Sequence, residues 1–568
     1  MIRNYILVAW RNLLKNRTFT AINIFGLALS MSICMVIILL IQYHHQFDTF
    51  HAGKDRIYRI IMFQKGESGV INEGYATTSP PLGKELKEQH AQVENYVNIY
   101  KYSSSELISE KKVLQSNAIF TDNNFFEVFD FDLAAGDKKT ALSMPYSIIL
   151  SEEKANLLFP EGNALGKTVE YSDHGVYKIT GIIRAPEGKT HLRFQTIASY
   201  NTLPLLANKG AISKSYNDWD NLWSHYNYVL LNENTPISHL ESHINGLTDK
   251  YIEYDDDEHP GYRFELQPLS EIVTGNSYVL ANEMHRSIPG LGLLFFTILA
   301  AIVIITASIN YANLSVARSL SRAKEVGIRK VNGATKRQIV MQFLVESLII
   351  ASISMILAIP FYEFLISSFN EIYIFNAFGI QLTDNQGVYV MFFLFTTLVG
   401  LVTGLGPSLF MSKVKTLGAL KGRLSSEGFS RSTVGLSGKR VLLSIQFALS
   451  IILLVSLFLL KSQGDFLVNG DYGFAEKQVY FIDLQNHKGA EVKEVITSVP
   501  GVEEVGFASH HPGVGRSNGN RFKTNVADED FLSVYDFSVD PGYLDVMGLS
   551  LVAGQDFPKN DLGTGREK

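Results

Sequence analysis

Hydrophobic and polar positions divide this chain into long apolar runs and ordinary mixed stretches. Crossing about 30 Å of hydrocarbon at about 1.5 Å per residue takes about 20 apolar residues in a helix. Five runs meet that length: 21 to 41, 288 to 312, 339 to 365, 388 to 411 and 441 to 460. The fifth lies between Arg440 and Lys461 with no charge inside it, and the third contains Glu346. All five are predicted to be membrane-spanning helices. Pro360 predicts a kink in the third, and Gly400, Gly404 and Gly406 predict close packing in the fourth, although both features also belong to ordinary membrane-helix usage.

Between 43 and 287 the pattern changes to short alternating pieces. Asp55 to Phe63, Tyr177 to Ile183 and Tyr226 to Leu231 have the β-branched and aromatic bias of strands. Pro80 to His90 and Ile237 to Tyr251 have helical spacing, with Ser238 as the expected N-cap of the second. The mixed order predicts an α+β domain with room for two lobes. The fold class is therefore an α-helical transmembrane bundle, five spans in this chain, carrying α+β extracytoplasmic domains.

One pattern occurs twice at an offset of 418 residues. The apolar run at 21 to 41 is matched by the one at 441 to 460, and Thr121 to Asp137 aligns without gaps on Val539 to Gln555. Identities in that window are Asp122/Asp540, Val128/Val546, Leu133/Leu551, Ala135/Ala553 and Gly136/Gly554. A shared offset in two separate features favours an internal duplication. The first copy continues through three more apolar runs, whereas the second stops soon after its motif, so the expectation is an N-terminal piece of a longer protein of roughly 800 residues.

Charge orients the spans. Residues 1 to 20 carry Arg3, Arg11, Lys15 and Arg17 and no acid; 313 to 340 carry seven Lys/Arg against Glu325; 411 to 440 carry seven against Glu427. These stretches hold 18 of the 50 basic residues and 2 of the 56 acidic ones, which makes them +16 and the remainder −22. The positive-inside bias places them in the cytoplasm, with the N-terminus, and makes the chain a multi-pass protein of the plasma (inner) membrane. The expected division is a cytoplasmic N-terminus 1–20, a first span 21–41, an extracytoplasmic domain 43–287, a three-helix membrane domain 288–411, a cytoplasmic linker 412–440, a fifth span 441–460 and a second extracytoplasmic domain 462–568. The first run is longer than a signal-peptide core and no A-x-A site follows it, so it reads as an uncleaved anchor.

Candidate chemistry is sparse. The single cysteine, Cys34, lies in an apolar run and excludes a disulfide framework. Gly162 to Thr168 looks like a phosphate loop, but Walker spacing needs a glycine where Glu161 stands, so a turn before a strand is expected and no nucleotide is bound here. His44, His45 and His51, and the pair His510 and His511, lack the converging ligands of a metal site and read as interface or surface residues. Asp255 to Glu258 reads as a solvated acidic loop. No cofactor, metal or nucleic-acid partner is expected for this chain.

The informative segment is 318 to 347. Arg318 to Val331 predicts a short basic helix stopped at Gly333, with a new helix entering the membrane from Thr335. A helix tied between two spans moves both when pushed, although its cations would equally suit anionic lipid. Lys324 to Ala334 (KEVGIRKVNGA) closely resembles the Glu-Ile-Gly-Ile-Arg-Lys-Ala-x-Gly-Ala signature of MacB-type and FtsX-type ABC transporter permeases. Val326 in place of Ile, and Val331 with Asn332 before the glycine, depart mildly from it. Phe47 to Ile60 (FDTFHAGKDRIYRI) is similar to the start of the family's exported core domain.

The resemblance implies that 318–333 is the helix touching a separate cytoplasmic ABC ATPase dimer, through Lys324, Glu325, Val326, Gly327, Ile328, Arg329, Lys330, Gly333 and Ala334. ATP and magnesium would be held by that partner. It implies a permease relaying ATP-driven motion to exported domains, for export of an envelope substrate, with a periplasmic adaptor, lipoprotein or hydrolase as a further partner. Two alternatives stand beside it: an FtsX-like regulator of an envelope enzyme without transport, and a membrane sensor or adhesion protein with no ATPase.

Overall fold

The computed structural model describes residues 2–65, 71–101, 105–109, 112–171, 174–252, 261–275, 279–280, 288, 290–372, 382, 386–413, 433–475, 478–482, 484, 489–509, 518–522 and 532–557. It divides into two compact units, Met1–Leu436 and Ser437–Lys568. The first holds a membrane bundle and a large α+β domain.

The bundle is built from α1 (Ile2–Lys15), α2 (Arg17–His45), α9 (Gly290–Ser321), α10 (Ala323–Val331), α11 (Lys336–Glu371) and α12 (Gln386–Lys413). Helices α2, α9, α11 and α12 are long and apolar enough to span a membrane. Each extends past the run that predicted it, because the polar residues at its ends keep the helical conformation. Residues 2–15 are a helix too, where the sequence reading treated them only as charge. Gln342, Glu346 and Ser347 of α11 are buried, and the Tyr311 hydroxyl lies 2.8 Å from Ser347 Oγ.

Lipid chains are as apolar as leucine, so close packing rather than water release holds spans together. Gly400 and Gly404 of α12 face α11: a methyl group added at Gly400 would meet Leu348 and Ala351, and one at Gly404 would lie 2.7 Å from Ser347 Oγ. Two of the three glycines expected to permit packing do so; the position of Gly406 is open, so that expectation is corrected. Gly404→Val is expected to lower bundle stability by about 1–3 kcal/mol through overpacking, read as a lower melting temperature in detergent, with Gly406→Val as the silent control.

The large domain carries β1 (Ile57–Lys65), β2 (Ile71–Tyr75), α3 (Leu82–Gln89), β3 (Val93–Lys101), β4 (Ser105–Ser109), β5 (Lys112–Ser116), β6 (Ala118–Thr121), α4 (Phe125–Val128), β7 (Leu133–Gly136), β8 (Ser147–Ser151), α5 (Glu152–Leu158), β9 (Thr168–Tyr171), β10 (Val176–Ile183), β11 (Thr196–Ser199), α6 (Leu203–Asn208), β12 (His225–Leu231), α7 (Ile237–Tyr251), β13 (Tyr262–Pro268), α8 (Glu271–Thr274) and β14 (Val279–Leu280). The strands form one mixed sheet in the order β14-β2-β1-β12-β3-β6-β11-β8-β10-β9-β4-β5, with β13 also on β1 and β7 on β10. One lobe packs α3 and α7 on the sheet through Leu82, Leu86, Leu240, Ile244 and Leu247. The other packs α5 and α6 through Ala155, Leu158, Leu203 and Leu206.

The strand and helix expectations hold here, and α7 has the bounds its spacing predicts. Its N-cap does not. Pro236, in an extended conformation, occupies the N-cap without a side-chain hydrogen bond, and Ser238 lies inside the first turn, too late in the chain to cap it. Gly162 and Gly166, both at positive φ, form a turn that leads into β9, as expected for the near-miss phosphate loop.

The second unit contains most of α13 (Thr433–Asn469), a fifth helix long and apolar enough to span a membrane. It also contains α14 (Gly489–Thr497), the hairpin β15 (Asn518–Phe522) and β16 (Leu532–Asp536), and α15 (Tyr543–Val546). Shifting α4 by the repeat offset lands on α15 residue for residue, and Gly136 and Gly554 share φ values of +103° and +101°. The two motifs therefore share local structure as well as sequence. His510, His511 and Asp255 to Glu258 lie outside the described residues.

Candidate coupling helix and joint

Helix α9 runs on to Ser321, so the short basic helix begins at Ala323 rather than at Arg318. The break falls at Arg322, whose φ of −96° and ψ of 1° depart from helical values. Asn332 ends α10, and Gly333, at φ +91°, turns the chain as its sequence position predicts. Thr335 then caps α11: its hydroxyl accepts from the Gln338 N–H while the Gln338 side chain accepts from the Thr335 N–H, closing a capping box.

One side of α10 is fixed to the bundle. Val326 is buried with Ile339 and Phe343 of α11 and Met411 of α12, and Gly327 is buried beside it. Arg322 donates from Nη1 to both oxygens of Glu346, at 3.2 and 2.9 Å, and from Nε to Glu325 at 3.3 Å. Glu325 also pairs with Arg329 at 3.0 Å, and Arg329 donates to Gln342. Lys330 Nζ donates to the Ser412 carbonyl at 2.8 Å. Burial would lower the pKa of Arg322, but Glu346 and Glu325 more than offset it, so the guanidinium stays charged.

The other side of α10 is open. Lys324, Ile328 and Val331, spaced as one helical face, are exposed, Ile328 to 46% and Val331 to 63%. The nine residues singled out by motif thus separate. Glu325, Val326, Gly327, Arg329 and Lys330 hold α10 to α11 and α12, Gly333 and Ala334 form its terminal turn, and Lys324 and Ile328 face outward. The motif does not single out Arg322, Val331, Gln342 or Ser412, and in the sequence Glu346 is only an acidic residue within the third apolar run. The salt bridge to Glu346 spans residues 24 positions apart and has no local signal.

At the far end of α2 the chain enters the large domain through a rigid joint. Phe47 pairs with Lys189, and the Asp48 N–H donates to the Lys189 carbonyl at 2.7 Å. Lys189 Nζ sits 3.4 Å from the centre of the Tyr43 ring, and burial pushes its pKa down to about 8. The buried Asp48 carboxylate lies 2.8 Å from His191 Nδ1, and His191 Nε2 lies 2.8 Å from the Tyr228 hydroxyl. Tyr228 stands opposite Arg59 in the sheet; Arg59, wholly buried, donates to Gln267 at 3.2 and 2.7 Å. The Asp130 N–H donates to His51 Nδ1 at 3.0 Å, and the Ala52 N–H donates to Asp130 Oδ2 at 2.7 Å.

Burial opposes ionisation of Asp48, yet His191, His51 and Thr190 hold its carboxyl well below the usual carboxylate range. Burial depresses His191 despite Asp48, so the imidazole is neutral near pH 7. An ionised Asp48 takes the Nδ1–H, which leaves Nε2 to accept the Tyr228 proton. His44 and His51 are interface residues, as their positions suggested.

Comparison with known proteins identifies two regions of the chain. Residues 20–246 match the MacB-like periplasmic core domain and residues 297–416 the FtsX-like permease C-terminal domain, together more than half of the chain. The uncharacterized ABC transporter permease YvrN of Bacillus subtilis is 22% identical over 361 residues, 62% of this chain and 82% of that one. The macrolide export ATP-binding/permease protein MacB of Bdellovibrio bacteriovorus is 30% identical over 126 residues, which take in 22% of this chain and only 18% of that protein's length. Among solved structures, a domain of a putative permease protein from Porphyromonas gingivalis covers 38% of this chain and 91% of its own, with a TM-score of 0.34 and 17% identity. The periplasmic region of MacB from Actinobacillus actinomycetemcomitans covers 39% and 92%, with a TM-score of 0.28 and 16% identity. With a core domain followed by an FtsX-like membrane domain, the chain is a multi-pass membrane protein that belongs to the MacB/FtsX-type family of ABC transporter permeases.

Proposed function

We propose that this permease relays ATP-driven motion from a separate cytoplasmic ATPase to its extracytoplasmic domain, with the N-terminus and α10 on the cytoplasmic side. The observation carrying this reading is the division of α10 into a face locked on α11 and α12 and an open face of Lys324, Ile328 and Val331. A push on the open face reaches both spans without slack, because ion pairs and a buried valine fill the other face. The joint at Asp48 gives α2, which packs on α11 and α9, an equally firm hold on the outer domain.

Relay without conduit fits the spans as well. A path for polar cargo through a bilayer is marked by ionisable groups facing water. Of the two acidic residues in the apolar runs, Glu346 is buried and matched to Arg322, and Glu363 is exposed nearer the end of α11 than its centre. Motion transmitted in this way would drive extrusion of an envelope substrate or regulate an envelope enzyme, and cargo assays on a deletion strain separate those outcomes. ATP and magnesium would reside in the ATPase.

The test is co-purification of the ATPase with Ile328→Glu and Val331→Glu. An apolar interface contact replaced by a charge is expected to cost at least about tenfold in recovered ATPase, with the melting temperature of the permease unchanged because both positions are exposed. Undiminished recovery with both variants would refute the open face as the docking site.

A further inference from the structure

On helix α1, among the described residues, one side packs on the rest of the chain and the other is left uncovered. Residues four apart stack along a helix, so Tyr5, Ala9 and Leu13 form one row, Ile6, Trp10 and Leu14 the next, and Arg3, Leu7, Arg11 and Lys15 a third. The first row docks: Ala9 and Leu13 are buried, and Leu13 joins the bundle core with Leu27, Met31 and Ile350. The second is bare. Ile6, Trp10 and Leu14 are each about half exposed, as is Leu7 at the edge of the third row, whose cations are exposed.

We propose that α1 is an interfacial helix that lies in the headgroup layer at the base of α2 and gathers anionic lipid around the permease. Its position follows from the chain. Only Asn16 separates α1 from the spanning helix α2, and the turn is fixed by Asn16 Nδ2 donating to the Asn12 carbonyl and Thr20 Oγ1 donating to the Leu13 carbonyl, both at 3.1 Å. The bare row is therefore held at the level where a span leaves the hydrocarbon.

Its chemistry suits that level. An apolar row with a central tryptophan, flanked by arginine and lysine, is the pattern that buries its apolar side among acyl chains and its cations among phosphates. No acidic residue precedes Asp48, so nothing in this part of the chain neutralises Arg3, Arg11, Lys15 or Arg17. Lipid chains cover such a row without any hydrogen-bond partner, and the membrane surface at that depth supplies phosphates to the cations beside it. The inference is independent of the relay reading, since it concerns a helix without the α10 motif.

Trp10 is a built-in reporter, being one of three tryptophans with Trp219 and Trp223. The full chain carrying Trp219→Phe and Trp223→Phe is placed in nanodiscs of mixed phosphatidylglycerol and phosphatidylcholine, with one lipid brominated near the headgroup end of its chains. Trp10 emission is expected to be quenched by bromolipid and shielded from acrylamide. Brominated phosphatidylglycerol should quench at least about twofold more than brominated phosphatidylcholine at equal mole fraction, and the R3Q/R11Q/K15Q variant should lose that preference. The parent-minus-Trp10→Phe difference spectrum gives the same reading without altering Trp219 or Trp223. Free access of acrylamide with no bromolipid quenching overturns the proposal, and so does shielding that arises only when an ATPase is added. Equal quenching by the two lipids in the parent overturns the anionic selectivity.

Discussion

Replacing Arg322 with glutamine lowers the stability of the membrane bundle by about 3–5 kcal/mol, the usual cost of leaving one member of a buried ion pair behind. Glu346 is only 7% exposed and takes two hydrogen bonds from the guanidinium, which also lies 5.0 Å from the centre of the Phe343 ring. Glutamine neither neutralises that carboxylate nor fills the place against Phe343. Glu346→Gln is the milder change, because Arg322 retains Glu325. The double variant R322Q/E346Q, with no charge left over, should recover most of the loss. Thermal unfolding of the detergent-purified protein reads all three, and equal melting temperatures for parent and R322Q would refute the pairing as a structural element. The same variant bears on function: with α10 released from α11, ATPase recovery is expected to persist while stimulation of the ATPase by cargo is lost.

That salt bridge marks the boundary of what the sequence made legible. Patterns that depend on neighbours a few residues apart were readable: the apolar runs, the bounds of α7, the stop at Gly333 and the restart at Thr335. Residues 2–15 carry a helical period as well, in the row Ile6, Trp10 and Leu14, but their three cations, Arg3, Arg11 and Lys15, make the stretch read first as charge. The motif located α10 without saying which way its residues face. Glu325 and Arg329 look like docking charges in sequence, yet in the fold they bind each other, Arg322 and Gln342. Ile328 and Val331 are exposed although apolar, because Val326 and Gly327 have taken the inner face. Which side of a short helix is buried is decided by the helices packed against it, and no local pattern reports that.

Asp48→Asn is expected to lower the stability of the extracytoplasmic domain by about 2–3 kcal/mol at pH 7, since it exchanges charge-assisted hydrogen bonds to His191 for neutral ones. Asparagine is the informative replacement: residue 48 has φ +55°, a conformation that asparagine tolerates and that costs most other residues about 1–2 kcal/mol, so Asp48→Ala should be worse by that amount. The two variants separate the charge from the backbone. Acid separates it again. The folded carboxyl sits below its unfolded value of about 3.9, so its contribution is complete above about pH 4 and is lost as pH falls through the folded pKa. His191 is depressed as well; below about pH 6.5 the unfolded chain takes up a proton that the folded domain refuses, so stability declines in the parent and more steeply in Asp48→Asn, which lacks the carboxylate that raises the His191 pKa. The gap between the two proteins should therefore not narrow between pH 7 and about 5, and should begin to shrink only as pH falls below about 4. Hydrogen exchange of 225–231, the strand carrying Tyr228, follows the local opening directly, and a gap that does not shrink at all below about pH 4 would mean that the Asp48 charge does not hold the joint.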